Sequence, residues 1–469
     1  MKSKYRTLLL VLILLFMTAL PGRSVSAASE TSTAQWHSSL QLVSLNAAAG
    51  TGWQYKNGSW YYYDPNGRMH TGWLYDNGAW YYLSSSGAMK TGWLCDRGSW
   101  YFLGSSGAMK TGWLYDQGLW YYLGSSGAMK TGWIKDRGVW YYLKGNGAMA
   151  TGWLDYQGAR YYLDGSGAMK TGWQYIDRKW YHMNSAGAVE TGWRFIGGKW
   201  YYLSMQDKGA MLTGWQELGG KRYYLNPSGD MADGFRILDG KAYYFGSDGA
   251  LKEDWASKNV IVIDPGHSSE IPKGQVPLGP GSDEMKDADN YGAVSVTNGL
   301  HEYELVLDVS LLLRDKLEAR GYKVVMVRTT NTGEYSCVDR AKVANDNNAA
   351  IFLRVHANAA PKDHSKNGAM TICITKDNEF IPAMYKKSRF LSDMILNNYV
   401  AAVGCFNEGV WERDDMVANN WSKVPTTLVE LGYMTNERED RLMQTDAYKE
   451  KMANGLLNGI DAYFKAVLK

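Results

Sequence analysis

The first half of the chain contains a sequence repeat of 20 residues. The tripeptide TGW recurs at intervals of 20 residues from Trp53 to Trp193 and again at Trp215 after a two-residue insertion. Two altered copies follow, DGF at Phe235 and EDW at Trp255. A fixed period over many copies is typical of arrays in which each unit buries one face against its neighbours. Residues 51–257 are therefore predicted to form a solenoid-like array.

Each repeat is predicted to be one β-hairpin. In TGWLYDNGAWYYLSSSGAMK (71–90), Asn77 and Gly78 separate two aromatic segments, and Asn-Gly is the strongest short signal for a two-residue hairpin loop. Strand alternation then places four rings on one face of the hairpin, those of Trp73, Tyr75, Trp80 and Tyr82. The N-terminal half is thus predicted to be an all-β solenoid of aromatic β-hairpin repeats.

The aromatic face can serve two roles. The rings can form the core of the array by stacking between hairpins. They can also form a cage for a quaternary ammonium, because a cation over a Trp or Tyr ring gains about 0.5–2 kcal/mol. The two roles are compatible, since one side of a ring can pack while the other binds.

The pattern GWxxxxGxWYYLxxxGxMxTGW resembles the choline-binding, cell-wall-anchoring repeat of Gram-positive surface proteins and phage lysins. The resemblance implies cages made of two aromatics from one hairpin and one from the next, with choline-decorated teichoic or lipoteichoic acid as the partner. Several weak cages on one array would gain by effective concentration. Related aromatic repeats bind glucans, which leaves a glucan as the alternative ligand. The implied choline-binding residues are Trp53, Trp60, Trp73, Trp80, Tyr82, Trp93, Trp100, Trp113, Trp120, Tyr122, Trp133, Trp140 and Tyr142.

Some repeats depart from this pattern. Arg160, Arg222 and Ala242 stand where the second Trp is expected, and His182 replaces a Tyr. A cationic guanidinium opposes a cationic ligand. The repeats containing Arg160 and Arg222 are therefore predicted to bind choline poorly.

The first 27 residues have the pattern of a secretory signal peptide. A basic start precedes the apolar run LLLVLILLFMTAL, and VSA at 25–27 offers a cleavage site. The apolar run is shorter than the roughly 20 residues that a membrane span needs. We therefore expect a signal peptide at 1–27, a linker at 28–50 and a secreted, cell-wall-associated protein.

Charge and cysteine content exclude some classes of protein. Cleavage after Ala27 would remove four basic residues and no acidic ones, which changes the formal charge from +3 to −1. A near-neutral chain is a poor nucleic-acid binder. The cysteines are widely spaced and contain no CxxC, so neither a disulfide framework nor a thiolate zinc site is indicated. One disulfide among Cys337, Cys373 and Cys405, or free thiols throughout, both fit the sequence.

Residues 258–469 have a different pattern, in which strands and helices alternate. NVIVID (259–264), AIFLRVHAN (350–358) and TTLVELGYMTN (426–436) are predicted strands, and 301–321 is a predicted helix with a regular apolar face. Such alternation favours an α/β domain with a mostly parallel sheet covered by helices.

Four polar residues are predicted to meet at one edge of this sheet. His267 follows the first strand, His356 and Glu430 end later strands, and Glu302 begins the first helix. Ligands of open α/β sheets bind at the carboxyl ends of the strands. Two histidines and one carboxylate, with a fourth position left for water, are typical of catalytic zinc. A further glutamate is suited to act as the base.

The segments VIDPGH, GLHEYEL, DRAKVAN, FLRVHAN and TTLVELGYMTN resemble, in this order, the zinc-dependent N-acetylmuramoyl-L-alanine amidases over nearly all of 259–466. The resemblance implies that Zn²⁺ is bound by His267, Glu302 and His356. It also implies that Glu430 activates the attacking water and protonates the leaving amine, and that Asp264 and Asn358 orient the ligands. Arg340 fits a family position with a structural role.

The sequence also departs from this family. GHSS replaces the usual GHGG, and Arg354 precedes VHAN where a small residue is common. A Gly-, Pro- and Asn-containing insert (271–299) is predicted to be a loop that acts as a substrate-binding lid. Because the insert separates Glu302 from His267, Glu304 and His301 remain alternatives for the carboxylate ligand, although Glu302 has the preferred position on the helix.

The sequence therefore predicts a secreted peptidoglycan hydrolase that cleaves the amide between N-acetylmuramic acid and L-alanine. Its repeats would hold it on choline-bearing wall polymer. Two other functions stay open. One is a zinc peptidase that cuts wall peptide crosslinks, and the other is a wall- or glucan-binding adhesin whose zinc domain is inactive.

Overall fold

A computed structural model describes residues 50–468, apart from the side chains at 256 and 257. The predicted signal peptide (1–27) and nearly all of the predicted linker (28–50) lie outside the described residues. The chain divides into two compact units, one up to Lys170 and the other from Thr171.

Ten antiparallel hairpins make up the repeats, six in the first unit and four in the second. Their strands are β1 Gly52–Lys56, β2 Ser59–Tyr63, β3 Gly72–Asp76, β4 Ala79–Leu83, β5 Gly92–Asp96, β6 Ser99–Leu103, β7 Gly112–Asp116, β8 Leu119–Leu123, β9 Gly132–Asp136, β10 Val139–Leu143, β11 Gly152–Tyr156, β12 Ala159–Leu163, β13 Gly172–Ile176, β14 Lys179–Met183, β15 Gly192–Ile196, β16 Lys199–Leu203, β17 Gly214–Leu218, β18 Lys221–Leu225, β19 Gly234–Leu238 and β20 Lys241–Phe245.

The hairpin register is the one predicted from the Asn-Gly loop. Tyr75 lies opposite Trp80 and Trp73 opposite Tyr82. Asn77 and Gly78 both have positive φ, 47° and 81°, as a type I′ loop requires. This prediction is confirmed.

Leucines and methionines pack behind the aromatic face of the first unit. Leu83 and its equivalents in the following hairpins are fully buried. A backbone hydrogen bond from Met89 N–H to Trp60 O, 2.8 Å, joins one hairpin to the next. Gly87 has φ of 78°, and a Cβ there would collide with the Met69 side chain. The repeated glycine therefore permits the close stacking of successive hairpins.

In the second unit, the last hairpin packs directly on the α/β domain. The Trp255 ring lies 5.6 Å from Phe235, 5.6 Å from Tyr322 and 5.4 Å from Phe464, measured between centroids. Ala242 N–H donates to Arg320 O at 2.8 Å. Ala242, which stands where a second Trp was expected, is buried. In this repeat, a small residue thus replaces the second Trp at the point where the hairpin contacts the α/β domain.

The α/β domain is built on a six-stranded sheet. The strands of this domain are β21 Val260–Pro265, β22 Gln275–Pro277, β23 Met285–Asp287, β24 Lys323–Met326, β25 Ile351–Asn358, β26 Ala369–Cys373, β27 Asn407–Glu412 and β28 Thr426–Tyr433. The strand order in the sheet is β24-β21-β25-β28-β26-β27, and all pairs are parallel except β26 with β28. The mostly parallel sheet is therefore confirmed.

Helices cover both faces of this sheet. The helices are α1 Trp255–Lys258, α2 Glu302–Ala319, α3 Cys337–Asp346, α4 Tyr385–Val403, α5 Val417–Trp421, α6 Glu437–Met443 and α7 Asp446–Val467, with a 3-10 turn at Pro382–Met384. Ile261 and Ile263 face α2, α4 and α7, whereas Val260 and Val262 face α3 and α5. Strand β21 is consequently buried on both sides, as parallel strands are.

Three smaller expectations can be compared with the structure. The insert is not wholly loop, because β22 and β23 pair within it as a short antiparallel hairpin. All four cysteines, Cys95, Cys337, Cys373 and Cys405, are free thiols. Within residues 50–468, no helix is long and apolar enough to cross a membrane.

Candidate active site

Strand ends and one helix start bring the predicted metal ligands together. His267 follows β21, His356 lies in β25 and Glu302 is the first residue of α2. One donor atom from each of these residues lies within 4.8 Å of the others. Glu302 Oε1 is 3.0 Å from His356 Nδ1 and 3.5 Å from His267 Nε2. The group has the composition and the spacing of a metal site.

His267 is held by the insert. Its Nδ1 lies 2.8 Å from Asn290 O and 3.1 Å from Asp289 Oδ1. A backbone carbonyl only accepts, so Nδ1 carries a proton, and Nε2 is the ring nitrogen that faces Glu302. Burial alone would lower the pKa of His267, but the Glu302 and Asp289 carboxylates outweigh it and raise the pKa to about 9.

Glu302 is the carboxylate that reaches the histidines. Its Oε1 also accepts from Ala357 N–H at 3.0 Å, and its Oε2 accepts from Ala293 N–H at 2.7 Å. The two alternatives have other contacts. Glu304 caps the helix by accepting from His301 N–H at 2.9 Å, and the His301 ring stacks on Tyr303.

Glu430 completes the cluster from the neighbouring strand, opposite His356 in the register of β25 and β28. Its Oε2 is buried and has no hydrogen-bond partner among the described residues. Burial and repulsion from Glu302 raise the pKa of Glu430 to about 8. A buried, unpaired carboxylate oxygen is costly and uncommon in folded proteins, and it suggests that a ligand or water occupies the adjacent space.

The two residues expected to orient the ligands have different surroundings. Asp264 is fully buried and accepts from Arg340 Nη1 at 2.6 Å and Arg354 Nε at 3.1 Å. Burial would raise the pKa of Asp264, but these two arginines hold it well below its usual range. Arg354 in turn lies 3.5 Å from His356 Nε2. Asn358 instead bonds to Ala359 N–H and to Met370 Sδ.

Sequence reasoning missed Asp289, which contacts a predicted ligand directly. Its Oδ2 accepts from Arg340 Nε at 3.1 Å, while its Oδ1 faces His267. A chain of contacts therefore runs from Asp264 through Arg340 and Asp289 to His267. No periodicity or motif in the insert distinguishes Asp289 from its other acidic residues.

The repeat array contains recurrent pairs of Trp rings at right angles. Trp73 and Trp80 are 6.4 Å apart at 84°, and Trp80 is 44% exposed. Trp73 Nε1–H also donates to Asp96 Oδ2 of the next hairpin at 3.1 Å. The same pairing occurs at Trp93/Trp100, Trp113/Trp120, Trp133/Trp140, Trp173/Trp180 and Trp193/Trp200. The last two pairs were not among the predicted site residues.

The tyrosine supplied by the next hairpin is the first of each WYY motif, or of WYF in the case of Tyr101. Tyr101 lies 4.8 Å from Trp73. The predicted Tyr82, Tyr122 and Tyr142 contact the Trp of their own hairpins at 5.1–5.3 Å. The first repeat differs, because the Trp53 ring contacts Tyr62 and Tyr81, while Trp60 contacts Tyr55.

In two repeats, an arginine and an acidic residue lie opposite each other where other hairpins have an aromatic pair. The guanidinium of Arg160 lies 4.1 Å above the Trp153 ring, and its Nε is 3.8 Å from Asp155, which lies opposite it across the hairpin. In the second unit, Arg222 lies 5.0 Å above Trp215 and opposite Glu217. In both repeats a cation of the chain itself covers the indole that would face a bound cation.

The described residues thus combine a two-histidine, one-carboxylate cluster on a mostly parallel sheet with an array of aromatic hairpins. Comparison with known proteins specifies the family. Residues 261–462 match the sequence model of N-acetylmuramoyl-L-alanine amidase. The choline-binding repeat model matches 50–92, 90–132, 130–171 and 212–255, and a cell wall binding repeat model matches 171–189 and 191–211.

Individual proteins match the two halves separately. The N-acetylmuramoyl-L-alanine amidase LytC of Bacillus subtilis is 31% identical over 205 residues, which are 44% of this chain and 35% of LytC. The amidase Rv3717 of Mycobacterium tuberculosis is 26% identical over 213 residues, 44% of this chain and 86% of Rv3717. The structure of CbpJ from Streptococcus pneumoniae is 35% identical, covers 43% of this chain and 87% of CbpJ, and has a TM-score of 0.37.

The chain belongs to the N-acetylmuramoyl-L-alanine amidase family and carries choline-binding repeats. It is a cell-wall amidase that its repeats direct to the wall.

Proposed function

We propose that this protein is a secreted, zinc-dependent amidase that cleaves the bond between N-acetylmuramic acid and L-alanine while its repeats hold choline-decorated teichoic or lipoteichoic acid. The domain boundaries at 27, 50 and 257 are part of this proposal. The observation that carries it is the convergence of His267 Nε2, His356 Nδ1 and Glu302 Oε1 beside the unpaired Glu430 Oε2.

The residues present fit zinc. Two imidazoles and one carboxylate are the donor set of hydrolytic zinc sites, and Nδ1 of His267 is fixed by Asp289 and Asn290, as ligand histidines require. Bound zinc would polarise the lactyl carbonyl and lower the pKa of water to about 7.

Glu430 is assigned the proton transfers. Its carboxylate would take a proton from the attacking water and return it to the departing amine of L-alanine. The pKa of about 8, raised by burial and Glu302, lets this carboxyl hold a proton near neutrality, while a nearby cation would favour its ionised form. Asp264 acts on this site through Arg340 and Arg354, which its carboxylate holds in place.

The repeats with two perpendicular Trp rings are assigned choline binding. Their exposed second Trp leaves an aromatic face open to a quaternary ammonium. We assign no choline site to the repeats that contain Arg160 and Arg222, because a guanidinium covers the corresponding indole. Retention on an immobilised choline matrix that free choline reverses would support this assignment. Retention that only a glucan reverses would contradict it.

The products released from purified cell walls test the reaction. The protein without residues 1–27 should generate N-terminal alanine and no new reducing sugars. Other new amino termini would favour a peptidase that cuts crosslinks. Wall binding with no release at all would leave only an adhesin function.

A further inference from the structure

Arg328 is a buried arginine whose partners are carbonyl groups. It follows β24 and is 2% exposed. Its guanidinium donates to Pro265 O at 2.9 Å, Gly266 O at 2.9 Å and Tyr303 O at 2.7 Å. It also donates to Thr330 O at 2.9 Å. Burial and the nearby Arg340 charge lower the pKa of Arg328 to about 10, which still leaves it charged near neutrality.

Its carbonyl partners adjoin two of the predicted metal ligands. Pro265 and Gly266 immediately precede His267, and Tyr303 immediately follows Glu302. One planar guanidinium therefore joins the turn that presents His267 to the first turn of the helix that presents Glu302. A lysine offers a single flexible ammonium and would not replace this set of fixed donor directions.

The turn held by Arg328 is conformationally demanding. His267 has φ of 56°, in the left-handed region that non-glycine residues seldom adopt. Such a conformation persists only where the surrounding structure imposes it. Gly266 passes so close to His356 that a Cβ there would collide with the imidazole ring. A shift of this turn would consequently move His267 and press on His356.

We propose that Arg328 is a positioning residue that sets the mutual geometry of His267 and Glu302 for metal binding. The proposal rests on the proposed zinc function. If Arg328 had a purely structural role, its substitution would lower only the stability of the protein. A positioning role predicts weaker zinc binding as well.

Zinc affinity of the whole protein, measured by competition with a chromophoric chelator, tests the proposal. Arg328→Met and Arg328→Lys should each bind zinc about 10–100-fold more weakly than the unsubstituted protein, the range found when partners of metal ligands are removed. Thermal unfolding in the presence of a chelator reports the stability of each variant without metal.

Arg320→Met is the matched control. Arg320 pairs with Asp461 at 2.7 Å at the opposite end of α2, so its loss should lower stability and leave zinc affinity unchanged. If the Met variant does not fold, the Lys variant decides the question. A folded Arg328→Lys with unchanged zinc affinity would overturn the proposal. Failure of the unsubstituted protein to bind zinc would instead overturn the proposed function.

Discussion

In the repeat array, the same pair of Trp rings recurs from hairpin to hairpin, and the second ring of each pair is close to half exposed. In the α/β domain, by contrast, the described residues form one cluster of two histidines and two glutamates, of which Glu302 and His356 are buried. Under the proposed function, the array would distribute weak choline binding over many similar sites. The cluster concentrates its chemistry in a few atoms. Substitutions should therefore have small, additive effects in the array and large effects in the cluster.

The largest effect is expected when the proposed proton-transfer group is removed. Glu430→Gln should lower the rate of alanine release by about 10²–10⁴-fold, the usual contribution of general acid–base catalysis. Retention on choline should not change. The matched control is Glu304→Gln, which removes a carboxylate from the same region that only caps α2. Equal losses in the two variants would contradict the assigned role of Glu430.

The next effect concerns the packing that joins the last repeat to the α/β domain. Trp255→Ala should lower the free energy of unfolding of the second unit by about 3–5 kcal/mol, because a buried ring in contact with Phe235, Tyr322 and Phe464 is removed. Denaturant unfolding measures this change. Trp255→Phe keeps much of the packing, so it should lower the free energy of unfolding less than Trp255→Ala does. An Ala variant as stable as the Phe variant would show that these ring contacts contribute little to stability.

Removal of the carboxylate that orients His267 should have an intermediate effect. Asp289→Asn is expected to weaken zinc binding by about 10–100-fold, since the bond to Nδ1 is lost or weakened. Chelator competition gives the affinity. Asp287→Asn, an exposed position in β23, is the control. If both variants bind zinc as the unsubstituted protein does, the Asp289 carboxylate does not orient the ligand.

The smallest effect is expected in the array. Trp80→Ala should weaken choline binding at its own cage by about 2–30-fold, the equivalent of 0.5–2 kcal/mol, and leave the other cages unchanged. Arg160→Ala should cause no loss, because that repeat is already covered by its own cation. Calorimetric titration of both variants with choline measures these effects. A loss of choline sites in Arg160→Ala would show that this repeat binds choline.

The array was predictable because its contacts are local and repeated. The hairpin register follows from Asn77-Gly78 and strand alternation alone. The tyrosine contributed by the next hairpin was not predictable, because the stacking of neighbours decides between the two tyrosines of each WYY motif. Arg160 was correctly read as a departure, but its position over Trp153 required the structure.

The α/β sheet and the convergence of His267, His356, Glu302 and Glu430 followed from strand ends and the family resemblance. The residues that surround this cluster could not be predicted in the same way. Asp289 reaches His267 from a loop with no periodic pattern, and Arg328 reaches Pro265 from the end of the neighbouring strand β24. Contacts between residues far apart in the chain, made by single side chains, leave no local signal in one sequence.

We propose above all that alanine release depends on one zinc ion held by this cluster. The most direct measurement removes metal from the mature protein with a chelator, adds zinc in known ratios and follows N-terminal alanine release from purified walls. We expect no release without metal and full recovery at one zinc per chain. Undiminished release by the metal-free protein would contradict it.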